Sequence, residues 1–471
     1  MKKNKKLFLS ANEKTAQNPL AVITYPEEKA ADEVTGLSEE EKDKVEAKSD
    51  KPVKRGFKIV AMTLALAVAF VGGYITNFFA VKGASKTLGW VADYISQYGY
   101  YTDEDGNLIE ITGDDMAKAI ASTLLDKYSA YYTSDEYSDV VNSSNGNSLG
   151  IGVSFLTASD DTEVLKVSGN SPADKAGIKS GDIITGAKRG TEEKKNFTDK
   201  EGLLSFLKDI KENETVTLFI ERKGEALEKT VKKCAYQTAY VRYFDNEREG
   251  YFFGEDNKFP EFKSINSIEK SELDGDTAYI KLDLFEGKAA SQFGEAIKYM
   301  QIRGKSKLIL DLRNNGGGAL SVLEDIAAYL LMTDEKTPVI VYAKNAKGKI
   351  TEYKASVNKR SESLTDISVI ANKNSASASE CLIGALRYYS KVSDDRLIIE
   401  DNTGTDDRTY GKGIMQTTFK NLSTGAAIKL TTAKLFLPDK TTSIHGIGFI
   451  GKEINRVPSD RAIMRAQEVL R

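Results

Sequence analysis

The rhythm of hydrophobic and polar positions changes along the chain, and each change predicts a boundary. Residues 1–58 show no hydrophobic period. They are rich in Lys, Glu and Asp and poor in aromatics, which predicts a solvated, disordered tail. Ile59 to Val81 is an uncharged apolar run, IVAMTLALAVAFVGGYITNFFAV, long enough to cross a hydrocarbon core as a single transmembrane helix. Over 82–145 apolar residues recur at helical spacing, as at Met116, Ile120 and Leu124. Over 146–236 the pattern shortens to alternating strands with Gly-rich turns, and 237–275 reads as a polar connector. From 276 to 457 strands and helices alternate. Ala278, Ile280, Leu282 and Leu284 predict a half-buried strand, and Phe293, Ile297 and Met300 predict one face of a helix. KLILDL (307–312), PVIVYA (338–343) and DISVIAN (366–372) predict further strands. The alternation implies an α/β core with crossover connections. Residues 458–471 close the chain as a helix.

The charges around the apolar run orient it. Lys51, Lys54, Arg55 and Lys58 precede it, and Lys82 and Lys86 follow it. This asymmetry predicts a single-pass protein of the cell membrane, with the N-terminus in the cytoplasm and the C-terminal body outside. The run is too long and begins too late for a cleaved signal peptide.

Composition narrows the chemistry. At 471 residues the chain is too long for one compact domain. A formal net charge of −3 gives no attraction to nucleic acid. The only histidine is His445 and the only cysteines are Cys234 and Cys381, which excludes a disulfide framework, a Cys/His zinc cage and a two-histidine metalloprotease site. A Ser–His–Asp triad would have to use His445, so a lysine must be considered as the base of any serine hydrolase.

Three segments could carry chemistry. Asn374-SASAS-Glu380 follows a strand and opens the helical stretch CLIGALRYY. Ser377 and Glu380 fit a capping box, so the serine could simply cap a helix. The same position also lies beside unpaired first-turn N–H groups, and the N–H of Ala378 could meet a developing oxyanion. The segment Asp311-LRNNGG-Gly318 follows KLILDL. It is either an ordinary strand-to-helix turn or a loop whose N–H groups approach a ligand; it lacks the Gly-Lys-Ser/Thr ending of a phosphate loop. Tyr410-GKGIM-Gln416 sets Lys412 between two glycines before the strand MQTTF. Lys412 is either an exposed turn lysine or a general base, and the second role requires a neutral amine.

These segments, with AIKLTTAKLFLP downstream, resemble the carboxyl-terminal processing peptidases, also called tail-specific proteases. The likeness spans roughly Leu125 to Val457. It implies a crotonase-like core of β-β-α units with an inserted PDZ-like domain. It further implies Ser377 as nucleophile, Lys412 as general base, Gln416 as the residue that orients the lysine, and the N–H groups of Ala378 and Gly317 as the oxyanion hole. LGIG, Leu149 to Gly152, is similar to the carboxylate-binding loop of PDZ domains, and SPADKAGIKSGD, Ser171 to Asp182, to their SPAxxAGLxxGD turn. Leu149, Gly150, Ile151 and Gly152 would then bind a substrate C-terminus. LDKYSAYY, Leu125 to Tyr132, is similar to the segment that precedes this module in the same proteases. In that family SIHGIG around His445 is a structural turn, and Cys381 reads as a small core residue.

Three features depart from the family pattern. The interval from Ser377 to Lys412 is longer, with the excess in the acidic stretch Ser393 to Thr409, read as a surface loop. An Asp of the family is replaced at Tyr388 or Tyr389, and the turn reads YGKG rather than FGKG. The implied activity is a membrane-anchored serine endopeptidase acting on exported or membrane proteins by acyl transfer, without metal or cofactor, with oligomerisation left open. The rival readings are a catalytically decayed PDZ scaffold at the membrane surface and a crotonase-like acyl-group enzyme.

Overall fold

The computed structural model describes residues 84–103, 106–155, 160–252, 263–264, 273–331, 337–356 and 363–471. The tail and the apolar run Ile59 to Val81, expected to span a membrane, lie outside them. Among the described residues no helix is long and apolar enough to cross a membrane. The chain divides into two units after Val91. The described part of the first unit is the opening of the helix Ala84–Tyr98; the features that follow belong to the second.

An eight-stranded sheet forms the centre. Its strand order is Lys263–Ser264, Arg248–Phe252, Val241–Phe244, Thr277–Leu282, Lys307–Asp311, Asp366–Ala371, Leu397–Glu400 and Arg456–Val457. The neighbours are antiparallel up to Thr277–Leu282 and parallel beyond it. Side chains alternate across the sheet with the period of two that a pleat imposes. Ala278, Ile280, Leu308, Leu310, Val369 and Ile399 face a large core shared with the helices Ala289–Ile302, Leu320–Leu330 and Ala378–Tyr388. Tyr279, Ile309, Ile370 and Ile398 face the other way, onto Ala462, Ala466 and Leu470 of the C-terminal segment. The strand from Thr277 is therefore buried on both faces, not half-buried as its alternation predicted, because the closing helix Ala462–Glu468 covers the second face.

Two further expectations change. The polar connector 237–275 contains two strands of this sheet, Val241–Phe244 and Arg248–Phe252. Their polar residues pair across the ladder, Arg242 with Glu249 at 3.1 Å, while Tyr243 and Phe252 enter the core. The acidic stretch Ser393 to Thr409 is only partly a loop, since Leu397, Ile398 and Ile399 form a buried parallel strand beside Val369–Ala371.

A second, five-stranded sheet is organised around the long strand Ala427–Phe436. Ile414–Lys420 pairs with it, as do Val339–Asn345 and the short strand Ala130–Tyr132; Ile350–Lys354 extends the sheet beyond Val339–Asn345. The expected helices upstream are Gly113–Leu124 and Ser134–Ser144, each opened by a capping box, Thr112 with Asp115 and Thr133 with Glu136. The apolar stripe of the first is not what holds it, for Leu124 is 75% exposed and only Ala121 is buried. Between these helices and the central sheet along the chain, a separate small core of Ile151, Val164, Ile184, Leu203, Val216 and Leu218 is built on the sheet Lys195–Asn196, Ile183–Arg189, Thr215–Arg222 and Glu225–Lys232 and on the helix Lys200–Asp209. A buried ion pair, Arg222 Nε to Asp182 Oδ1 at 2.6 Å, ties its turn to its sheet.

Candidate active site

The three segments singled out in the sequence meet at one place. The N–H of Ala376 donates to the Asn315 carbonyl at 3.0 Å, and Ser379 Oγ donates to the same carbonyl at 2.9 Å. The N–H of Tyr410 donates to the Ser375 carbonyl at 3.0 Å. The Gly-rich loop, the serine segment and the lysine turn are thus held together by short backbone-directed bonds.

Ser377 stands just before the helix Ala378–Tyr388, with φ 59° and ψ −115°. Ordinary caps in this chain are extended: Thr112, Thr133 and Ser171 have φ of −85°, −63° and −71°. A non-glycine residue held in the positive-φ region costs about 1–3 kcal/mol and persists only where its surroundings impose it. Capping alone does not require that conformation. It turns the serine sharply at the junction of strand and helix, where Ala378 provides the first N–H of the helix.

The Gly-rich loop packs directly on this turn. A Cβ at Gly317 would lie 2.8 Å from Ser377 Cβ and 2.9 Å from both the Ala376 carbonyl oxygen and the Ala378 nitrogen, and its φ is +102°. Only glycine fits there. The Gly317 N–H, expected to face an oxyanion, donates to Asn315 Oδ1 at 2.9 Å. Asn315 is itself buried and bonded to the Leu282 carbonyl at 2.9 Å. Gly317 can therefore serve an oxyanion only by sharing or exchanging that bond.

Lys412 is half-buried on a turn that two glycines make possible. A Cβ at Gly413 would sit 2.5 Å from the His445 nitrogen, and one at Gly411 would sit 3.0 Å from the Ile447 nitrogen. His445 itself is exposed and packs its backbone against the lysine turn. Burial pushes the Lys412 amine toward its neutral form, and the positive charge of Lys429 pushes the same way; Tyr410, Asp126 and Glu380 oppose them. The Lys412 Nζ lies 5.0 Å from the centre of the Tyr128 ring. Lys127 Nζ donates to Tyr410 Oη at 3.0 Å. Gln416 does reach into this cluster, but its Nε2 donates to Thr431 Oγ1 at 3.1 Å. The N–H of Thr431 in turn donates to Ser129 Oγ at 3.2 Å, and Ser129 Oγ donates to Asp126 Oδ1 at 2.8 Å.

The segment Asp126–Ser129 is the part that sequence reasoning assigned no role. Its only signal was the likeness of LDKYSAYY to the family, whereas its neighbours in space are nearly 300 residues away along the chain. Glu380 was read as half of a capping box, and its carboxylate does accept the Ser377 N–H at 3.0 Å. Cys381 lies in the first turn of the helix Ala378–Tyr388, fully buried, with its thiol pushed up to about 12 by burial, so it forms no thiolate nucleophile. Tyr388 and Tyr389, where the family Asp is missing, sit at the far end of an 11-residue helix, about 16 Å along its axis from Ser377. Among the described residues no group of His, Cys, Asp or Glu could hold a metal ion.

A groove of about 1140 Å³ opens beside the small domain, lined by residues 148–155 and by Leu204, Leu207 and Lys208. Tyr240, Leu284 and Glu286 also line it. Leu149 and Gly150, expected in a free loop, pair with Ala235 and Cys234 as a strand. Ile151 is buried in the small core, and the Gly152 carbonyl accepts from Ser168 at 2.9 Å.

Residues 276–452 match the model of peptidase family S41, and residues 150–232 match that of the PDZ domain. A protein of Staphylococcus aureus (strain N315) called "Probable CtpA-like serine protease" is 28% identical over 404 residues, covering 83% of this chain and 70% of that one. A protein of the same description from Staphylococcus saprophyticus is 26% identical over 430 residues, covering 88% and 77%. Among solved structures, a photosystem II D1 C-terminal processing protease is 22% identical with a TM-score of 0.46, covering 73% of this chain and 82% of that one. Two family models in the order read from the sequence, and relatives that span most of the chain, lead to one conclusion: the chain belongs to the S41 family of serine peptidases and carries a PDZ domain.

Proposed function

We propose that this peptidase cleaves peptide bonds by acyl transfer, with Ser377 as nucleophile and neutral Lys412 as its general base. Lys412 takes the hydroxyl proton as Ser377 Oγ attacks the peptide carbonyl. The N–H of Ala378 and an N–H of the Gly317 loop receive the oxyanion. The protonated lysine returns the proton to the leaving amine, and water hydrolyses the acyl-enzyme by the reverse sequence. The observation that carries this reading is that the backbone amides of the half-buried, glycine-flanked Lys412 and of Ser377, held at φ 59° on a helix N-terminus, converge on one oxygen of Glu380. Gln416 acts by steadying, through its bond to Thr431 on the neighbouring strand, the strand that follows the lysine turn. Purified Ser377→Ala, Lys412→Ala and Lys412→Arg proteins should fail to cleave an unstructured protein such as casein, since guanidinium keeps its proton. His445→Ala should retain turnover. Full activity in Lys412→Ala would refute the dyad, and total loss of labelling by a fluorophosphonate in the wild type would favour the decayed scaffold.

The finer reading is a membrane-anchored, carboxyl-terminal processing endopeptidase. The uncharged run Ile59 to Val81 and its basic flank support an anchor with the catalytic body outside the cytoplasm. Protease added to intact cells should remove the catalytic body and spare the tail. The groove beside Ile151 and Gly152, with Leu204 and Leu207 on its wall, supports capture of substrate C-termini that end in apolar residues, added as a strand. Binding that survives C-terminal amidation of the peptide would refute that part.

A further inference from the structure

The reading above leaves one buried charge without a task. Glu380 has no exposed surface, and among the described residues it forms no ion pair. Each of its carboxylate oxygens instead accepts two hydrogen bonds. Oε2 accepts from the N–H of Ser377 at 3.0 Å and from the N–H of Lys412 at 2.8 Å. Oε1 accepts from the N–H of Gly411 at 2.7 Å and from Thr409 Oγ1 at 2.5 Å. All four partners donate to it, and a carboxylate offers acceptor sites at both oxygens to meet them. Thr409 is held in turn, its Oγ1 accepting from the Phe449 N–H at 2.8 Å.

The arrangement does more than cap a helix. A capping carboxylate at this position needs only the N–H of its own cap residue. Here a single oxygen ties together the amides of the two residues read as nucleophile and base, on segments 35 positions apart. It also holds Ser377 in its positive-φ conformation, which the surroundings must impose. We propose that Glu380 is the positioning residue of the reaction: its buried carboxylate fixes the spacing of Ser377 and Lys412, and its charge acts on the Lys412 amine.

This inference rests on the Ser377–Lys412 reading. The other groups that act on the Lys412 amine are Lys429 from the strand Ala427–Phe436, Tyr410 on its own turn, and Asp126 with Tyr128 from the upstream segment. Of these Lys429 favours the neutral amine and Asp126, Tyr410 and the Tyr128 ring favour the ammonium, as Glu380 does. Removing the Glu380 charge therefore shifts Lys412 further toward the neutral form, and the rising limb of activity moves to lower pH.

The test is steady-state cleavage of labelled casein by the full-length chain across pH, with Glu380→Gln compared to wild type. The amide keeps the shape, but it turns one acceptor into a donor facing donors. The expected result is a kcat lower by about 10²-fold or more, since small displacements of reacting groups cost that much. KM should change little, and the residual activity should rise at lower pH than in wild type. Should Glu380→Gln fail to fold by circular dichroism, Thr409→Val decides: it removes one donor, leaves the carboxylate, and should lower kcat about tenfold, the effect of one hydrogen bond. A folded Glu380→Gln with wild-type kcat overturns the proposal. So does a loss of kcat with an unmoved pH limb, which would make Glu380 a structural cap only, and so does wild-type kcat in Thr409→Val. Ser377→Ala and Lys412→Ala run beside them: turnover in either refutes the dyad itself, whereas inactivity in both with an unaltered Glu380→Gln refutes only the role of Glu380.

Discussion

Adding one methyl group at Gly317 should disable the peptidase while leaving it folded. The Cβ of Gly317→Ala would meet Ser377 Cβ at 2.8 Å and the Ala376 oxygen and Ala378 nitrogen at 2.9 Å. None of these is the far end of a flexible chain, so either the loop or the serine turn must move by several tenths of an ångström. The backbone resists as well, because φ is +102°. An L-residue forced there costs about 1–3 kcal/mol, and the overpacking costs about as much again. The destabilisation is then roughly 2–6 kcal/mol, less than most domains hold in reserve, and Tm should fall by roughly 5–20 °C. The effect on turnover should be larger, with kcat down by about 10²-fold or more, because the displaced atoms belong to Ser377 and to the N–H groups beside it.

The neighbouring glycine provides the control. A Cβ at Gly316 meets no heavy atom within 4 Å, and the residue is exposed. Gly316→Ala should change stability by less than about 0.5 kcal/mol and leave kcat near wild type. Differential scanning fluorimetry and casein cleavage on the two variants measure both quantities. The reasoning fails if Gly317→Ala is folded and turns over normally, or if Gly316→Ala is the more damaging of the pair.

Three shorter predictions use other parts of the molecule. Lys429→Gln removes a cation that favours the neutral form of the Lys412 amine, so Lys412 should hold its proton more tightly and the rising limb of kcat/KM should move to higher pH, opposite in sign to Glu380→Gln. Arg222→Ala leaves the fully buried Asp182 carboxylate without its charged partner, with only the Lys179 N–H still bonded to it, and the small domain should lose about 3 kcal/mol or more in urea unfolding. Cys381 should resist iodoacetamide in the native protein and react once it is unfolded, and Cys381→Ala should remain active, since burial keeps its thiol protonated.

What could be read from the sequence follows a physical division. Glycines announce themselves because close backbone approach tolerates nothing else: Gly317 against Ser377, and Gly411 and Gly413 against the turn Ile444 to Gly448, all lie in segments that stood out in the chain. The serine and the lysine stand out for the same reason, flanked by residues the geometry demands. Parts built by pairing over long distances left no local trace. Tyr128 Oη and Tyr410 Oη are 3.4 Å apart but 282 residues apart in sequence. Arg242 and Glu249 made 237–275 look like a connector because their charges balance only once the strands are paired. In Ser393 to Thr409 the flanking acids hid the apolar Leu397–Ile399 in the same way.

The Glu380 carboxylate shows why a local rule can be correct and still incomplete. A capping box accounts for one of its four hydrogen bonds, the one within its own helix. The other three come from the turn Thr409–Lys412, some 30 residues on. A carboxylate that only capped would tolerate exposure and accept water at its second oxygen. Complete burial leaves no room for water, so every acceptor site had to be filled by the fold, and the donors that fill them belong to the lysine turn. The cap and the site are therefore one device. The helix start at Ser377 and the turn Thr409–Lys412 share one acceptor, so a change at either end is felt at the other, and the sequence signals that link only at its helical end.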